Sequence, residues 1–315
     1  MEALAPVELD AQYRVLRESA GALVREGRRL ISVDGSEAGE YLQGQVTNDV
    51  EALEPGQGVY SALLDRKGRM QGDMRVLRRA AGFTIDTEAD AGDAVMRHLS
   101  MYKIGRDVEI ADRTDELELI SVIGPAAGQL VLDGPAGLEN AHRQHELDGV
   151  ETTAIAIDVG LDLLVASADR ERVLEKLSAR GAESVTEAAA EIVRVESGRP
   201  RFGREMTTAT IPQEAGVNER AVSFTKGCYI GQETVARLHY KGKPNRRLVG
   251  LVLEGPAAAG DPVRLGDREL GSIGTLALSP ARGSIALAIL RREAEVGDTV
   301  AVGDSASGKL VELPF

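Results

Sequence analysis

The single cysteine of this 315-residue chain, Cys228, lies in residues 226–233, which read KGCYIGQE. Gly227 and Gly231 flank the thiol with two backbone positions that tolerate unusual dihedral angles. The residues after Gly231 predict a helix, and a helix N-terminus presents free N–H groups and a partial positive charge that stabilise a nearby thiolate. Lys226 would add a second positive charge. The segment therefore indicates either a reactive thiol or, as for many lone cysteines, a small buried side chain.

Three other groups of residues could bind a ligand. Glu196 stands at the end of a predicted helix, where its carboxylate could accept two parallel N–H bonds from an aminopyrimidinone ring or from a nearby arginine. Asn48 and Asp49 follow a short predicted helix and could contact a ligand or form a cap or turn. A basic cluster could attract a small anionic cofactor or be a solvated loop. This cluster consists of Arg237, Lys241, Lys243, Arg246 and Arg247.

Three further patterns resemble binding or catalytic motifs but indicate a structural role. Residues 303–309 have the phosphate-loop spacing G-x-x-x-x-G-K, but Leu310 replaces the hydroxyl residue and no helix follows, which predicts a hairpin. His142 and His145 lack a matching acidic or thiol ligand, so no metal site is predicted in this stretch. His239 would lie two helical turns from Cys228, about 12 Å along the axis, which is too far for a catalytic pair.

The composition is that of an ordinary soluble globular protein, with 43% hydrophobic and 28% charged residues. The formal net charge of −13 argues against binding to nucleic acid, which depends on neutralising phosphates. A single cysteine excludes an intramolecular disulfide and an iron–sulfur cluster held by this chain alone. No apolar run approaches the length of about 18 residues that spans a bilayer, and residues 1–6 do not resemble a signal peptide, so we expect a cytoplasmic protein without a membrane partner.

The elements that carry these residues predict an α+β fold in two parts. Small groups of helices and strands alternate over residues 1–243, including a hairpin formed by residues 59–64, a turn at 65–68 and a returning strand at 69–78. Residues 133–150 show no clear pattern and are predicted to be irregular. Residues 244–315 contain only short strands separated by turn residues, which predicts a small β-barrel or sandwich.

The octapeptide KGCYIGQE resembles the signature of the YgfZ-type tetrahydrofolate-binding proteins, a family associated with assembly and repair of iron–sulfur clusters. The similarity extends from about residue 25 to residue 315. It includes YLQGQVTNDV at 41–50, DRKGR at 65–69, ESGRP at 196–200 and IPQE at 211–214. The family is similar in fold to the aminomethyltransferase, or T-protein, of the glycine cleavage system. The resemblance therefore implies a folate-binding α+β body around a central cleft, closed by a C-terminal β-barrel.

The resemblance also implies roles for individual residues. Cys228 and Lys226 would form the reactive site, and iron–sulfur client or assembly proteins would be the partners. Glu196 corresponds to the acidic residue that holds the pterin ring in the T-protein. The remaining residues expected to contact tetrahydrofolate, or a derivative of it, are Asn48, Asp49, Tyr229, Gln232 and Arg237.

One position predicts a difference from the T-protein. Matching residues 68–73, GRMQGD, to the Gly-Gly-x-x-Asp-Asp strand of the T-protein puts Gly72 at the catalytic aspartate. Successive side chains of a strand face opposite sides of the sheet, so Asp73 could replace that group only through a bulge or a shift of register. We therefore expect no classical aminomethyltransferase activity. The alternative is a folate-dependent aminomethyl or one-carbon transferase that uses Asp73.

Overall fold

Two mostly antiparallel sheets and one closed barrel form the chain in a computed structural model that describes residues 6–315. Residues 1–5, on which the expectation about a signal peptide partly rests, lie outside the described residues. Across residues 6–315, no helix has the length and apolar character that a membrane span requires.

Sheet I has five strands, and all of its pairs are antiparallel. These are β2 (Arg28–Asp34), β3 (Gly58–Leu64), β4 (Met70–Arg78), β5 (Phe83–Glu88) and β6 (Glu109–Asp112), in the spatial order β3-β4-β5-β2-β6. Because strand side chains alternate, Met74 and Val76 of β4 belong to an apolar face and Asp73 and Arg75 to a polar one. The apolar face packs against α2 (Ala38–Gln45) and α3 (Ala89–Tyr102).

Sheet II has six strands in the order β11-β1-β7-β10-β9-β8. They are β1 (Gly21–Val24), β7 (Leu117–Ile123), β8 (His142–Leu147), β9 (Val150–Ile157), β10 (Gly160–Ala166) and β11 (Glu183–Ser184). Its outer face packs against α4 (Ala127–Leu132) and α5 (Arg170–Ala179), the latter preceded by a 3₁₀ turn (Ser167–Asp169).

The prediction that residues 133–150 are irregular is wrong over β8. This strand pairs with β9 in continuous antiparallel register from His142 to Leu147. It lies at the edge of sheet II, and only Leu147 is buried. An edge strand exposed to water has no alternating apolar residues, so the usual sequence signal of a strand is missing here. His142 and His145, three residues apart on a strand, belong to opposite faces.

The C-terminal prediction is confirmed by a closed six-stranded barrel in the order β12-β15-β14-β13-β16-β17. Its strands are β12 (Arg246–Glu254), β13 (Pro262–Leu265), β14 (Arg268–Ser279), β15 (Gly283–Arg291), β16 (Thr299–Val302) and β17 (Ala306–Val311). The hairpin predicted for residues 303–309 is the connection between β16 and β17. The α+β fold with a C-terminal barrel is thus confirmed, while the boundary at residues 243 and 244 stays a prediction.

The remaining helices join these units. They are α1 (Pro6–Glu18), α6 (Glu187–Glu196), α7 (Asn218–Ala221) and α8 (Gln232–Lys241). Apolar residues of α1 and α6 form one cluster with β14 and β15, so these two helices connect the body to the barrel. The predicted helix after Gly231 is confirmed as α8.

Candidate functional site

A cavity of about 220 Å³ lies where the polar face of sheet I meets sheet II. Tyr60 of β3 and Asp73 of β4 line it from sheet I, and Ser121 of β7 and Asp162 of β10 line it from sheet II. The guanidinium of Arg75 crosses the gap and lies 2.6 Å from the carboxylate of Asp162. The cavity is therefore lined by the side chains on one face of each sheet, and the opposite, apolar face of each sheet packs against helices.

The cavity wall carries equal numbers of positive and negative side chains. Six arginines line it: Arg25, Arg28, Arg75, Arg194, Arg199 and Arg220. Six carboxylates do so as well: Asp73, Glu88, Glu139, Asp158, Asp162 and Glu191. Apolar side chains such as Met74, Leu119 and Ile157 complete the wall. Such a mixture suits a flat, polar heterocycle, which needs apolar contact on its faces and hydrogen-bond partners at its edge.

Arginines on the sheet I side are held by buried carboxylates. Asp86 is almost completely buried and receives hydrogen bonds from both Arg28 and Arg75. Burial opposes ionisation of Asp86, but the two guanidinium charges outweigh it and lower its pKa to about 2. Arg28 also pairs with Glu88. This part of the wall is a network of neutralised charges.

Asp73 differs from these carboxylates, because one of its oxygens has no hydrogen-bond partner among residues 6–315. Its Oδ2 accepts a hydrogen bond of 2.6 Å from the hydroxyl of Tyr60. Its Oδ1 is buried and makes no hydrogen bond with any described residue. Burial raises the pKa of Asp73 to about 6, and the Tyr60 hydrogen bond only partly offsets this effect. A buried carboxylate with a free oxygen in a cavity can accept an N–H bond from a ligand.

The position matched to the catalytic aspartate, Gly72, does not line the cavity in the described structure, whereas Asp73 does. A Cβ atom at Gly72 would lie 2.8 Å from the Cβ of Ala91 in α3, so this position faces the apolar side of sheet I. The register between β3 and β4 shifts after Leu63, which leaves Gln71 as an extra residue on β4. Gly72 and Asp73 both follow this shift in regular register, so the alternation of side chains along β4 places Asp73 on the opposite face, toward the cavity.

Four charged side chains form a more exposed part of the wall, which we call the rim. Arg220 pairs with Glu139, and Arg199 donates from Nε to Asp158 over 2.9 Å. The ring of Tyr60 lies under the guanidinium of Arg220, 4.9 Å from its centroid to Cζ. Burial, together with the negative charge of Glu139, raises the pKa of Asp158.

Glu196 does not line this cavity in the described structure, although the sequence predicts that it points into a cleft. Its buried carboxylate accepts a hydrogen bond of 3.0 Å from Tyr13 and further bonds from Arg17 and Ser279. These partners come from α1 and the barrel, so Glu196 connects three separate units. Its role as a pterin ligand is not supported by this geometry, because its acceptor sites are already used.

Asn48 and Asp49 also lie outside the cavity wall of the described residues. The amide of Asn48 donates bonds of 2.9 Å to the backbone oxygens of Tyr60 and Arg220. Asp49 accepts a hydrogen bond of 2.9 Å from Gln43. Asn48 therefore does not touch the cavity itself but fixes the backbone of two residues that line it.

Lys226 is engaged with the C-terminus of α2. Its Nζ donates three hydrogen bonds of 2.7 Å, to the backbone oxygens of Gln43, Val46 and Asn48. These carbonyl groups have no partner within the helix, and the negative end of the helix dipole favours a cation there. Burial lowers the pKa of Lys226 to about 8, an effect that Asp49 partly offsets. All three N–H donors are used, so none remains for the thiol of Cys228.

Cys228 is exposed, so the interpretation as a buried, packed side chain is wrong. The ring of Tyr229, by contrast, is buried in the core of sheet I, and Gln232 is the first residue of α8. Gly231 has φ +86°, and a Cβ there would lie 2.5 Å from the backbone oxygen of Asp65. The cysteine segment thus packs on the turn between β3 and β4.

That turn is separated along β4 from the hairpin residues that line the cavity. Asp73 is five residues from Gly68, which corresponds to roughly 15 Å along a strand. Arg237 and the other cations of the basic cluster do not line the cavity in the described structure. Arg246 pairs with Glu214, and His239 of α8 stacks on Phe224 with centroids 3.7 Å apart. The predicted site residues therefore divide into a cavity region and a separate surface around Cys228.

The residues that form the cavity wall carry one signal in the sequence. Charged residues alternate along adjacent strands, as in Asp73 and Arg75 on β4 and Asp86 and Glu88 on β5. Such a pattern is normally typical of a strand face in water. Only the presence of sheet II against this face converts it into a buried, ligand-sized site.

Comparison with known proteins places this fold and site in a class. The family model described as GCVT N-terminal domain matches residues 8–226. An aminomethyltransferase from Rubrobacter xylanophilus is 28% identical, covering 98% of this chain and 86% of that protein. Among solved structures, the glycine cleavage system aminomethyltransferase T from Bartonella henselae has a TM-score of 0.87 at 22% identity, over 100% of this chain and 91% of that chain.

A second group of relatives is more specific. The tRNA-modifying protein YgfZ from Yersinia enterocolitica is 30% identical over 296 residues, covering 91% of this chain and 89% of that protein. A YgfZ from Yersinia pseudotuberculosis is 29% identical with the same coverage. The chain belongs to the GCVT family and is a YgfZ-type member of it, with the fold of the aminomethyltransferases. The family resemblance read from KGCYIGQE is confirmed.

Proposed function

We propose that the chain binds a reduced folate, with the pterin ring in the cavity between sheets I and II. The observation that supports this proposal most directly is the free, buried Oδ1 of Asp73. Pterins present adjacent N–H groups on an aminopyrimidinone edge, and a carboxylate is the natural acceptor for them. Tyr60 orients the carboxylate through its hydrogen bond, and Met74 and Ile157 offer apolar contact to the ring.

The test is an equilibrium titration of tetrahydrofolate against the wild type and two variants. Asp73→Asn removes the charged acceptor and should weaken binding about tenfold or more, since hydrogen bonds to charged groups contribute about 1.5–3 kcal/mol. Glu196→Gln is the matched control, a second buried carboxylate that does not line the cavity in the described structure. It should leave the affinity unchanged. Absence of binding by the wild type would reject the proposal.

The position of Asp73 also favours a second candidate, a folate-dependent aminomethyl or one-carbon transferase. Bound tetrahydrofolate would supply an acceptor for one-carbon units. Asp73, with a pKa of about 6, can release and take up a proton near neutral pH, as a general acid or base must. This candidate predicts turnover with the natural carrier protein, an inflection near pH 6 and loss of turnover in Asp73→Asn. A wild type without turnover would exclude it.

For the surface around Cys228 we propose a role in assembly or repair of iron–sulfur enzymes. The thiol is exposed and does not line the cavity in the described structure, so it is accessible to a partner protein. One thiol cannot hold a cluster alone, and the other ligands would come from the partner, a second copy or a small thiol. Since the net charge is −13, we propose that any connection with tRNA modification runs through a protein partner.

Complementation tests this role. In cells that lack the endogenous homologue, Cys228→Ser should fail to restore iron–sulfur enzyme activity while still binding folate, because Cys228 does not line the cavity in the described structure. Full rescue by Cys228→Ser would show that the thiol has no part in the function. The cytoplasmic location of the protein stays a prediction.

A further inference from the structure

The rim of the cavity contains a carboxylate that occupies a place suited to a ligand. We propose that Glu139 is a displaceable stand-in for a ligand carboxylate: it holds Arg199 and Arg220 at the rim, and the glutamate tail of a bound folate replaces it there. This inference rests on the proposed binding of folate and assigns the residues that receive the tail.

The contacts at the rim form an incomplete clamp around one oxygen. Arg220 donates from Nη2 to Oε1 of Glu139, and Nη1 of Arg199 lies 3.6 Å from the same oxygen. That Nη1 atom is buried and makes no hydrogen bond within residues 6–315. Arg220 thus has a hydrogen-bond acceptor in Glu139, whereas Nη1 of Arg199 has none among the described residues. A carboxylate with two free oxygens could bind both arginines.

The exposure of the side chains explains why a ligand can displace Glu139 from its arginines but cannot displace the buried carboxylates that hold Arg75. The side chains of Glu139, Arg220 and Arg199 are 36%, 34% and 28% exposed. By contrast, Asp86 and Asp162, which hold the cavity residue Arg75, are 1% and 6% exposed. Partly exposed ion pairs contribute little to stability because water screens them, whereas separating a buried pair leaves an uncompensated charge. A ligand carboxylate can therefore compete for the rim arginines only.

The backbone around Glu139 and the charge beside it are both consistent with displacement. Glu139 lies in the connection between α4 and β8, whose tip carries the exposed Leu138. The neighbouring Asp158 shares Arg199 with it, and burial together with the charge of Glu139 raises the pKa of Asp158. Moving Glu139 outward would relieve this repulsion. The backbone of Arg220, by contrast, is fixed by Asn48.

Folate has the two ends that this cavity distinguishes. Its pterin ring is a hydrogen-bond donor at one end, and its glutamate carries carboxylates at the other. Asp73 marks the buried end of the cavity, and Arg199 and Arg220 mark the exposed end. Glu139 would therefore not compete with a pterin that lacks the tail, but it would compete directly with the glutamate tail of a folate.

The experiment compares tetrahydrofolate with 6-methyltetrahydropterin, which has the same ring and no glutamate. Glu139→Gln should tighten binding of tetrahydrofolate about fivefold and leave that of the tail-free pterin unchanged, since about 1 kcal/mol of competition is removed. Arg220→Met should weaken binding of tetrahydrofolate by about fivefold or more, and weaken that of the tail-free pterin less, through the lost contact with the ring of Tyr60. Glu293→Gln is the matched control, because its side chain is 35% exposed and pairs with Arg268 on the barrel. It should change neither affinity.

The outcomes separate this inference from the proposal on which it rests. If Glu139→Gln changes the affinity for both ligands equally, or changes neither, Glu139 is not a stand-in for the tail. In that case, binding of the ring is still established by the titration of the wild type. Wild type that binds neither ligand would overturn both. If Arg220→Met does not fold, Arg199→Met provides the same comparison. The gain from Glu139→Gln should also shrink as salt is raised, because exposed charges are screened.

Discussion

Replacing Asp73 by asparagine should make the protein more stable at neutral pH while it weakens ligand binding. Burial raises the pKa of Asp73 from 3.8 to about 6 in the folded state. Between these two pH values the folded state binds more protons than the unfolded state, so the free energy of unfolding falls as pH rises. Asparagine keeps the shape and can still accept the hydrogen bond from Tyr60, but it cannot ionise.

The magnitude follows from the size of the shift. Each pKa unit corresponds to about 1.4 kcal/mol. Burial of Asp73 therefore costs about 3 kcal/mol at pH 7, where it is ionised in both states, and about 1.5 kcal/mol at pH 5, where folding has to protonate it. The amide N–H₂ of asparagine would be left without a partner at a cost of about 1 kcal/mol. We therefore expect Asp73→Asn to raise the free energy of unfolding by about 2 kcal/mol at pH 7 and by about 0.5 kcal/mol at pH 5.

Urea unfolding at pH 5, 6 and 7 measures this difference directly, because both proteins share the same unfolded state apart from one side chain. Asp86→Asn is the matched control on the neighbouring strand, since Arg28 and Arg75 lower the pKa of Asp86 to about 2. Its contribution to stability is present above about pH 4 and is lost as pH falls through 2. Asp86→Asn should therefore destabilise at all three pH values, by about 3 kcal/mol or more.

Two results would refute the reasoning about Asp73. One is a variant that is no more stable than the wild type at pH 7, which would mean that the carboxylate is not disfavoured in its charged form. The other is a gain that does not change between pH 5 and pH 7, which would attribute it to packing. If Asp86→Asn destabilises the protein as expected but Asp73→Asn does not stabilise it, the ion pairs of Asp86 are supported and the raised pKa of Asp73 is not.

Four further substitutions test the placement of individual residues by urea unfolding at pH 7. Gly72→Asp should lower the unfolding free energy by about 3 kcal/mol or more, because the new carboxylate would be buried against α3; a tolerated aspartate would mean that Gly72 does face the cavity. Lys226→Met should lower it by about 2 kcal/mol, since three backbone carbonyl groups at and just after the C-terminus of α2 lose their donor, and an unchanged value would show that water replaces the ammonium. Gly231→Ala should lower it by about 1–3 kcal/mol through its positive φ and the contact with Asp65, unless the hairpin turn shifts freely. Glu196→Gln should lower it by about 1–2 kcal/mol through the lost charge opposite Arg17, and equal stability would argue against its connecting role.

The barrel and most of the body could be predicted from the sequence because their signals are local. Period-two apolar patterns and turn residues mark the barrel strands, and β3 and β4 are separated by a clear hairpin turn. The strand β8 was missed because it lies at the edge of sheet II and buries only Leu147. The closure of the barrel was expected from the family resemblance, not from any single strand.

Glu196 shows why the binding residues were harder to predict. A carboxylate at a helix end looks available to a ligand when only its neighbours in sequence are known. Its actual partners, Tyr13 and Ser279, are 183 and 83 residues away. Lys226 is similar, since its ammonium is used by carbonyl groups about 180 residues earlier in the chain. Local sequence identifies groups capable of chemistry, but the tertiary partners decide whether those groups are free.

The β3–β4 hairpin carries residues of both regions of the site. The family motif identifies the segment with Gly72 and Asp73, but the alternation of side chains along β4 is what turns Asp73, and not Gly72, toward the cavity. The turn of the same hairpin, at residues 65–68, packs against Gly231 and positions the segment of Cys228. Because the two regions share a hairpin and no side chains, substitutions can separate them. Asp73→Asn should affect ligand binding with Cys228 intact, and Cys228→Ser should leave ligand binding intact, so a joint loss in either variant would show that the regions act as one site.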